Sequence, residues 1–408
     1  MPRTVLFWLH LTAGVAAGAI ILLLSVTGVL LTYEKQIAHW ADLRQLPAIN
    51  APASSRLSAD SLLSLAKAAQ DGKAPSAITL RSDPREPAVV AFGRDFNLFL
   101  NPGTGAVLGD GSRATHEFFG SVEEWHRWMA GKGENRTRLK SVTGAANLMF
   151  LLLVLTGMVL WLPRTWSWIK VRAVLWFRGG LSGKARDFNW HNVLGIWSAL
   201  PLIAIVASGS VIGYPWASDL VYKIVGEAPP PRTPPSGGAA ASGTTAAGGS
   251  GRGADRSDVA SDSSVKSLVI LPTYAAMVAT AANLMPGWRA VTLQIPKPGA
   301  KTTSVTLDRG TGGQPQYRAT VQFSSATGEL SKYQPFDSLS TGRQLRGVLR
   351  FTHTGEVLGL FGQTWAGLVS LASVVLVMTG IALSVRRAAR ALARRSARLA
   401  APASAPIA

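Results

Sequence analysis

The chain contains no cysteine. That absence excludes disulfides, iron–sulfur clusters, covalently attached c-type haem and thiol catalysis. Acidic residues are scarce: 22 Asp and Glu stand against 41 Lys and Arg, a net charge of +19 over 408 residues. No grouping of nucleophile, base and carboxylate suggests a hydrolytic site. Histidine numbers only six. Redox or metal chemistry therefore has to rest on those histidines, on carboxylates, or on a bound organic cofactor.

Apolar residues are abundant, at 47%, and they fall in long runs. Four of these, Val5–Tyr33, Ser141–Leu162, Val193–Tyr214 and Leu358–Val385, can each cross a hydrocarbon core of about 30 Å at 1.5 Å per residue. The first is too long for a signal-peptide h-region and no small-x-small site follows it, so it is expected to remain as an anchor.

The placement of charge argues against nucleic acid as the partner. Arg164, Lys170, Arg172, Arg178, Lys184 and Arg186 lie between the second and third runs, opposed only by Asp187. Arg386, Arg387, Arg390, Arg394, Arg395 and Arg398 follow the fourth with no acid. Four crossings put both segments on one side, and the positive-inside rule makes that side cytoplasmic. The expected setting is the bacterial inner membrane, with both termini cytoplasmic, large loops periplasmic and the basic segments against anionic lipid.

The chain also reads as two copies of one pattern. Each long outer segment opens with a helix, SADSLLSLAKAAQ from Ser58 or LPTYAAMVATAANL from Leu271. Short strands follow: SAITLRS, EPAVVAFG and FNLFLNPGTGAVLG in the first, WRAVTLQI, TTSVTLD and YRATVQFSSATGELSKY in the second. The turns Asn101–Gly105 and Ser324–Gly328 occupy matching places, each a hairpin ending in glycine. Every apolar run carries a Thr-Gly or Ser-Gly pair near its far end, at Gly28, Gly157, Gly209 and Gly380. His10 and Gly28 are 18 residues apart, as are His191 and Gly209. An internal duplication is the economical explanation.

The expected fold is an α-helical membrane protein: a four-helix transmembrane bundle with two periplasmic α+β domains, internally duplicated. The expected boundaries are transmembrane helix 1 at 5–33, a first periplasmic domain at 34–125, and an outer histidine segment with helix 2 at 126–162. A basic cytoplasmic loop at 163–189, helix 3 at 190–214 and a second periplasmic domain at 215–352 come next. An outer histidine segment with helix 4 at 353–385 and a basic tail at 386–408 complete the chain. Pro229–Ser264, rich in Pro, Gly, Ala and Ser, reads as a disordered tether.

Four histidines follow the same register. His10 and His191 begin the first and third spans at the inner side; His126 and His353 precede the second and fourth at the outer side. Packing of the halves about an axis normal to the membrane makes His10 face His191 and His126 face His353. Facing neutral imidazoles without cysteine suit a b-type haem iron, closed to substrate and fitted for electron transfer. Gly14 and Gly195, one turn beyond the inner histidines, are expected to leave room for a porphyrin. Gly28 and Gly209 are expected level with the outer pair, admitting the outer macrocycle. The spacing before Gly157 and Gly380 differs, 31 residues from His126 but 27 from His353, and leaves the outer register open.

The competing readings are interfacial hydrogen bonding for each histidine, close helix packing for Gly14-x-x-x-Gly18, and an outer metal site using Glu123, Glu124 and Glu356. His39 and His116 fit no repeat and read as surface residues with a minor option of substrate contact. Tryptophans at span ends read as an aromatic belt.

Four pieces of sequence carry a family resemblance: HLTAGVAAG…SVTG at His10–Gly28, WHRWMAG at Trp125–Gly131 with LTGMVLWLP at Leu155–Pro163, WHNVLGIW at Trp190–Trp197, and THTGEVLGLFG at Thr352–Gly362. Together they resemble the PepSY-associated transmembrane proteins, often labelled iron-regulated membrane proteins. NPGTGAVLG and SSATGEL look like the hairpins of PepSY domains. Family members include inner-membrane siderophore reductases with two b-type haems. The resemblance implies two haem b groups held by His10, His191, His126 and His353, and an oxidoreductase passing electrons to a ferric siderophore or other ferric chelate in the periplasm. A quinol or cytoplasmic reductase would be the donor. The alternatives are a non-catalytic binding or regulatory protein acting through its PepSY domains, and a transporter component; the second is opposed by spans without charge near their middles.

Overall fold

The computed structural model describes residues 3–49, 56–93, 96–163, 165, 167–231 and 273–400. The tether beyond Pro231, Leu271, Arg164 and Trp166 lie outside the described residues, as does the side chain of Arg398. The first half contains α1 (Arg3–Leu31), α2 (Glu34–Gln45), α3 (Ala59–Ala68), β1 (Ala77–Arg81), β2 (Ala88–Ala91), β3 (Asn97–Leu100), β4 (Val107–Gly109), α4 (Arg113–Trp128) and α5 (Glu134–Trp161). A short α6 (Trp168–Leu175) leads to α7 (Gly183–Gly213), α8 (Pro215–Ile224), α9 (Tyr274–Leu284), β5 (Ala290–Gln294), β6 (Thr302–Asp308), β7 (Arg318–Ser324) and β8 (Leu330–Pro335). The chain ends with α10 (Thr341–His353) and α11 (Gly359–Ala400). These elements form two compact units.

The first unit comprises 1–34, 116–218 and 349–408. Its long helices α1, α5, α7 and α11 match the four expected spans to within two residues at the overhanging ends and are long and apolar enough to cross a membrane. α1 and α7 each pack on both α5 and α11, so α1 and α7 occupy opposite corners of a four-helix arrangement. Small residues permit the approach, as expected where apolar lipid gives helices little reason to associate. Ala13 and Ala17 are buried on α1, and a methyl added at Gly144 of α5 would come within 2.5 Å of the Tyr214 hydroxyl. Inside the unit, Ser373 donates to Ser25 across α11 and α1 (2.7 Å), and Asn147 of α5 donates to the Val206 carbonyl and the Ser210 hydroxyl of α7.

The second unit comprises 35–115 and 219–348. Its strands form one antiparallel sheet of order β4-β3-β2-β1-β5-β6-β7-β8. The strands expected in two separate outer segments thus share a single sheet. The join is β1 against β5, in register from Ala77↔Gln294 to Arg81↔Ala290, with the Thr79 and Thr292 hydroxyls 2.9 Å apart. Each strand set alone would leave a bare edge of unpaired N–H and C=O groups; pairing removes both edges at once. Helices α3 and α9 cover one face, closing a core that includes Leu62, Ile78, Leu100, Leu293, Leu307 and Phe323. Full burial of such side chains stabilises by about 1.5–3 kcal/mol each relative to exposure. The matching hairpins are present: Asn101 Oδ1 accepts from the Gly103 and Thr104 amides, Ser324 Oγ accepts from Thr327, and Gly105 and Gly328 take φ of 75° and 72°.

Asp60 ties the two sets together a second time. From the first turn of α3 its carboxylate accepts the Tyr274 and Ala275 amides (3.0 and 2.8 Å), two of the otherwise unbonded donors at the start of α9. Asp60→Ala is expected to cost about 1–2 kcal/mol, as loss of a helix N-terminal acceptor does. The change should register as a lower thermal midpoint in detergent and faster hydrogen exchange across α9.

Candidate functional site

All four registered histidines lie in the first unit, and the structure brings them together in two couples. His10 on α1 and His191 on α7 face each other with ring centroids 6.4 Å apart and planes at 90°. His126, in the last turn of α4, and His353, the last residue of α10, stand 6.1 Å apart at 52°. Along α1, from His10 to the residue that touches His126, Thr27, the rise is about 25 Å. The couples therefore occupy two well-separated levels.

Each imidazole is held through Nδ1 by a neighbouring helix. His10 meets the Thr156 hydroxyl of α5 (2.9 Å). His191 meets the Leu376 carbonyl and the Thr379 hydroxyl of α11, both at 3.1 Å. His126 meets the Thr27 hydroxyl of α1 (2.8 Å). His353 meets the Ile205 carbonyl of α7 at 2.8 Å.

A carbonyl only accepts, so Nδ1 of His191 and Nδ1 of His353 must carry a proton. The threonine hydroxyls extend this to His10 and His126. Thr27, Thr156 and Thr379 each donate to the carbonyl four residues back at 2.7 Å, which leaves the oxygen to accept. With Nδ1 protonated in all four rings, Nε2 keeps its lone pair, and among the described residues no group bonds to it. This is the tautomer a metal-binding histidine requires. Burial, the facing His353 and the adjacent Arg127 pull His126 down to about 3, and burial lowers His353, both in the direction that favours the neutral ring.

Four of the glycines stand against the histidine rings. A methyl at Gly28 would lie 3.7 Å from His126 Cε1, at Gly157 3.4 Å from His10, at Gly380 3.4 Å from His191, and at Gly209 3.0 Å from His353. Each Thr-Gly or Ser-Gly pair is thus a seat for an imidazole, with the glycine clearing the ring's edge and, in three of the four, the hydroxyl meeting Nδ1. Gly28 and Gly209 lie level with the second couple, as expected, each beside one of its histidine rings. Gly14 and Gly195 face Leu153 and Leu376 side chains at 3.7 Å.

The unequal spacing before Gly157 and Gly380 is absorbed in the connecting turns. Between α4 and α5 the chain turns through Met129 and Ala130 at φ of 50° and 53°; between α10 and α11 it turns at Gly355, φ 74°, packed against the Gly362 backbone. Both routes deliver a histidine to the same level.

Other sequence candidates do not join the couples. Glu123 accepts from Arg127 at 2.6 Å, and the buried Glu356 accepts from the Thr354 hydroxyl at 2.9 Å. Glu124 is exposed. Among the described residues no three His, Asp or Glu side chains converge as a metal site. His39 lies in the second unit, 3.6 Å from a Glu86 oxygen, and His116 lies in the second turn of α4. Trp8, Trp125, Trp176, Trp190, Trp197 and Trp216 are exposed, as belt residues are. Trp128 is buried instead, with the Arg127 and Arg136 guanidiniums over its ring at 4.8 and 4.0 Å.

The arrangement suits a metal gripped axially between two imidazoles. Metal–imidazole bonds of about 2.0–2.1 Å, with a ring radius on either side, put the centroids of two axial ligands roughly 6 Å apart. Both couples meet that distance.

Asp187, the one acid in the basic loop, was legible only as an exception to the charge pattern. It is buried one turn before His191, accepting from Arg186 (3.0 Å) and from Arg386 of α11 (2.6 Å). Asp187→Ala is expected to lower stability by about 1 kcal/mol, since it removes the buried carboxylate that two partly exposed arginines share. Arg186→Ala, removing the more exposed partner, should cost less than 1 kcal/mol, roughly the surface-pair value. Thermal midpoints of the two variants in detergent check the ranking.

Comparison with known protein families matches the chain to the PepSY-associated TM region over residues 7–387. No curated protein matches it. The matched span contains the four apolar helices up to Arg387, the eight-stranded sheet and all four seated histidines. The chain is a membrane protein that belongs to the PepSY-associated TM family.

Proposed function

We propose that this protein is an electron conduit of the bacterial inner membrane, holding two b-type haems and delivering electrons to a ferric chelate, such as a siderophore, on the periplasmic side. The observation that carries the reading is the pair of imidazole couples at 6.4 and 6.1 Å with every Nδ1 engaged and every Nε2 left over. His10 and His191 would be the axial ligands near the cytoplasmic face, His126 and His353 those near the periplasmic face. Haem iron held this way takes up and gives back one electron at a time.

The chain's contribution is to fix ligands and exclude other chemistry. Each couple would hold its iron with two imidazoles, which would favour electron transfer over oxygen binding or direct substrate ligation. The Nδ1 bonds fix tautomer and ring plane, so little has to reorganise when charge changes. Apolar helices shield both levels from water. A quinol or a cytoplasmic reductase is the donor. One quinol, oxidised to quinone, yields two electrons and two protons; two ferric chelates each take one electron and become ferrous. Hard oxygen ligands hold the less charged ion more weakly, so iron is released. The shared sheet, read as two PepSY-like lobes from an internal duplication, is where the chelate docks.

Purified protein is expected to show a dithionite-reduced minus oxidised b-type spectrum with two haems per chain by extraction. His10→Ala or His191→Ala should remove one haem, and His126→Ala or His353→Ala the other. Protein without haem would overturn the proposal and favour a binding or regulatory role for the sheet. Gly209→Ala, whose methyl would lie 3.0 Å from His353, is expected to lose much of one haem. Gly28→Ala, at 3.7 Å from His126, should retain both.

A further inference from the structure

The seats are not equivalent, and the difference assigns work to particular hydroxyls. We infer that Thr27, Thr156 and Thr379 are positioning residues that set the reduction potential of the haem bound at their own level. The inference rests on the haem reading and goes beyond it in naming what tunes each site.

Three of the four imidazoles give Nδ1–H to a threonine hydroxyl, and His191 shares its own with the Leu376 carbonyl as well. His353 gives its own to the Ile205 carbonyl. The matching residue there, Ser208, turns its hydroxyl to the Ala204 and Ile205 carbonyls, at 2.6 and 2.9 Å. So the first couple has a hydroxyl behind both ligands, and the second couple has one behind a single ligand.

An acceptor on Nδ1–H pulls the proton outward and makes Nε2 the stronger electron donor. A more basic axial ligand stabilises ferric over ferrous iron and lowers the potential. Each threonine strengthens this pull, because its hydroxyl hydrogen is already given to its own helix and its oxygen can only accept. Removing the hydroxyl while keeping the shape, as Thr→Val does, deletes the acceptor on Nδ1–H at His126 or His10. The potential must then rise. The change stays local, because Thr27 touches only the His126 ring and Thr156 only the His10 ring.

The test is a redox titration of the full-length protein, followed at the haem α-band, with haem content measured in parallel. Thr27→Val should raise the potential of the haem that His126→Ala removes, and leave the other unchanged. Thr156→Val should do the converse. A tenfold shift in the reduction equilibrium, 59 mV for one electron, is the expected size for a partner in the second coordination sphere. Thr27→Ser and Thr156→Ser, which keep the hydroxyl, should restore the wild-type values.

Two haems with unmoved potentials in the valine variants would overturn the inference while leaving the haem reading intact. So would serine variants shifted as far as the valine ones. Should a valine variant lose its haem, a serine variant that keeps both haems at wild-type potentials supports the assignment; loss in both overturns it. Wild-type protein without haem would bring down the haem reading itself, and the inference with it.

Discussion

The hydrogen bond from each imidazole Nδ1 to the next helix is the constraint on which the histidine site depends. A histidine in an apolar span is costly unless its polar atoms are met. Here one nitrogen is met by a hydroxyl or a carbonyl of the next helix, and the other has no partner among the described residues. The same bond fixes the ring plane and the tautomer. It also obliges the neighbouring helix to give up a side chain where the ring lies, and glycine takes that place beside each ring. In three of the four seats a threonine precedes the glycine and its hydroxyl meets Nδ1.

Much of this was legible in the sequence because the chain displays it twice. The four spans, the helices at 59–68 and 274–284, the hairpin turns and the grouping of His10 with His191 and His126 with His353 all follow from apolar runs and repeated spacing. The sheet's unity was not legible. Nothing in AITLR or AVTLQ says whether these strands meet each other, since an alternating strand reads the same at an edge or in the middle. Asp187 was equally opaque: a lone acid among arginines looks like a solvated exception until Arg386, 199 residues on, is seen beside it.

The Thr-Gly pairs mark the boundary between the two cases. Their recurrence was visible, but their partners were not, because each serves a histidine on a different helix. Counting along α1 links His10 to Gly28, whereas the structure links His10 to Gly157 and Gly28 to His126. Sequence periodicity reports which residues share a face of one helix. It carries no information about which helix stands opposite, and that is where the function of the pair resides.

The two couples also differ in what holds them. His10 and His191 ride on helices whose own packing in the first unit sets their height, so their separation follows from α1, α5, α7 and α11 alone. His126 and His353 sit at the ends of α4 and α10, and their height depends on the turns that follow. One turn forces Met129 and Ala130 into left-handed backbone, which L-residues adopt at a cost; the other uses Gly355, for which that conformation is nearly free. Two turns of different length and chemistry reach one level because the Nδ1 bond and the glycine seat set the end point. The connection is free to vary so long as the imidazole arrives, which is why a four-residue difference in spacing leaves the geometry of the couple intact.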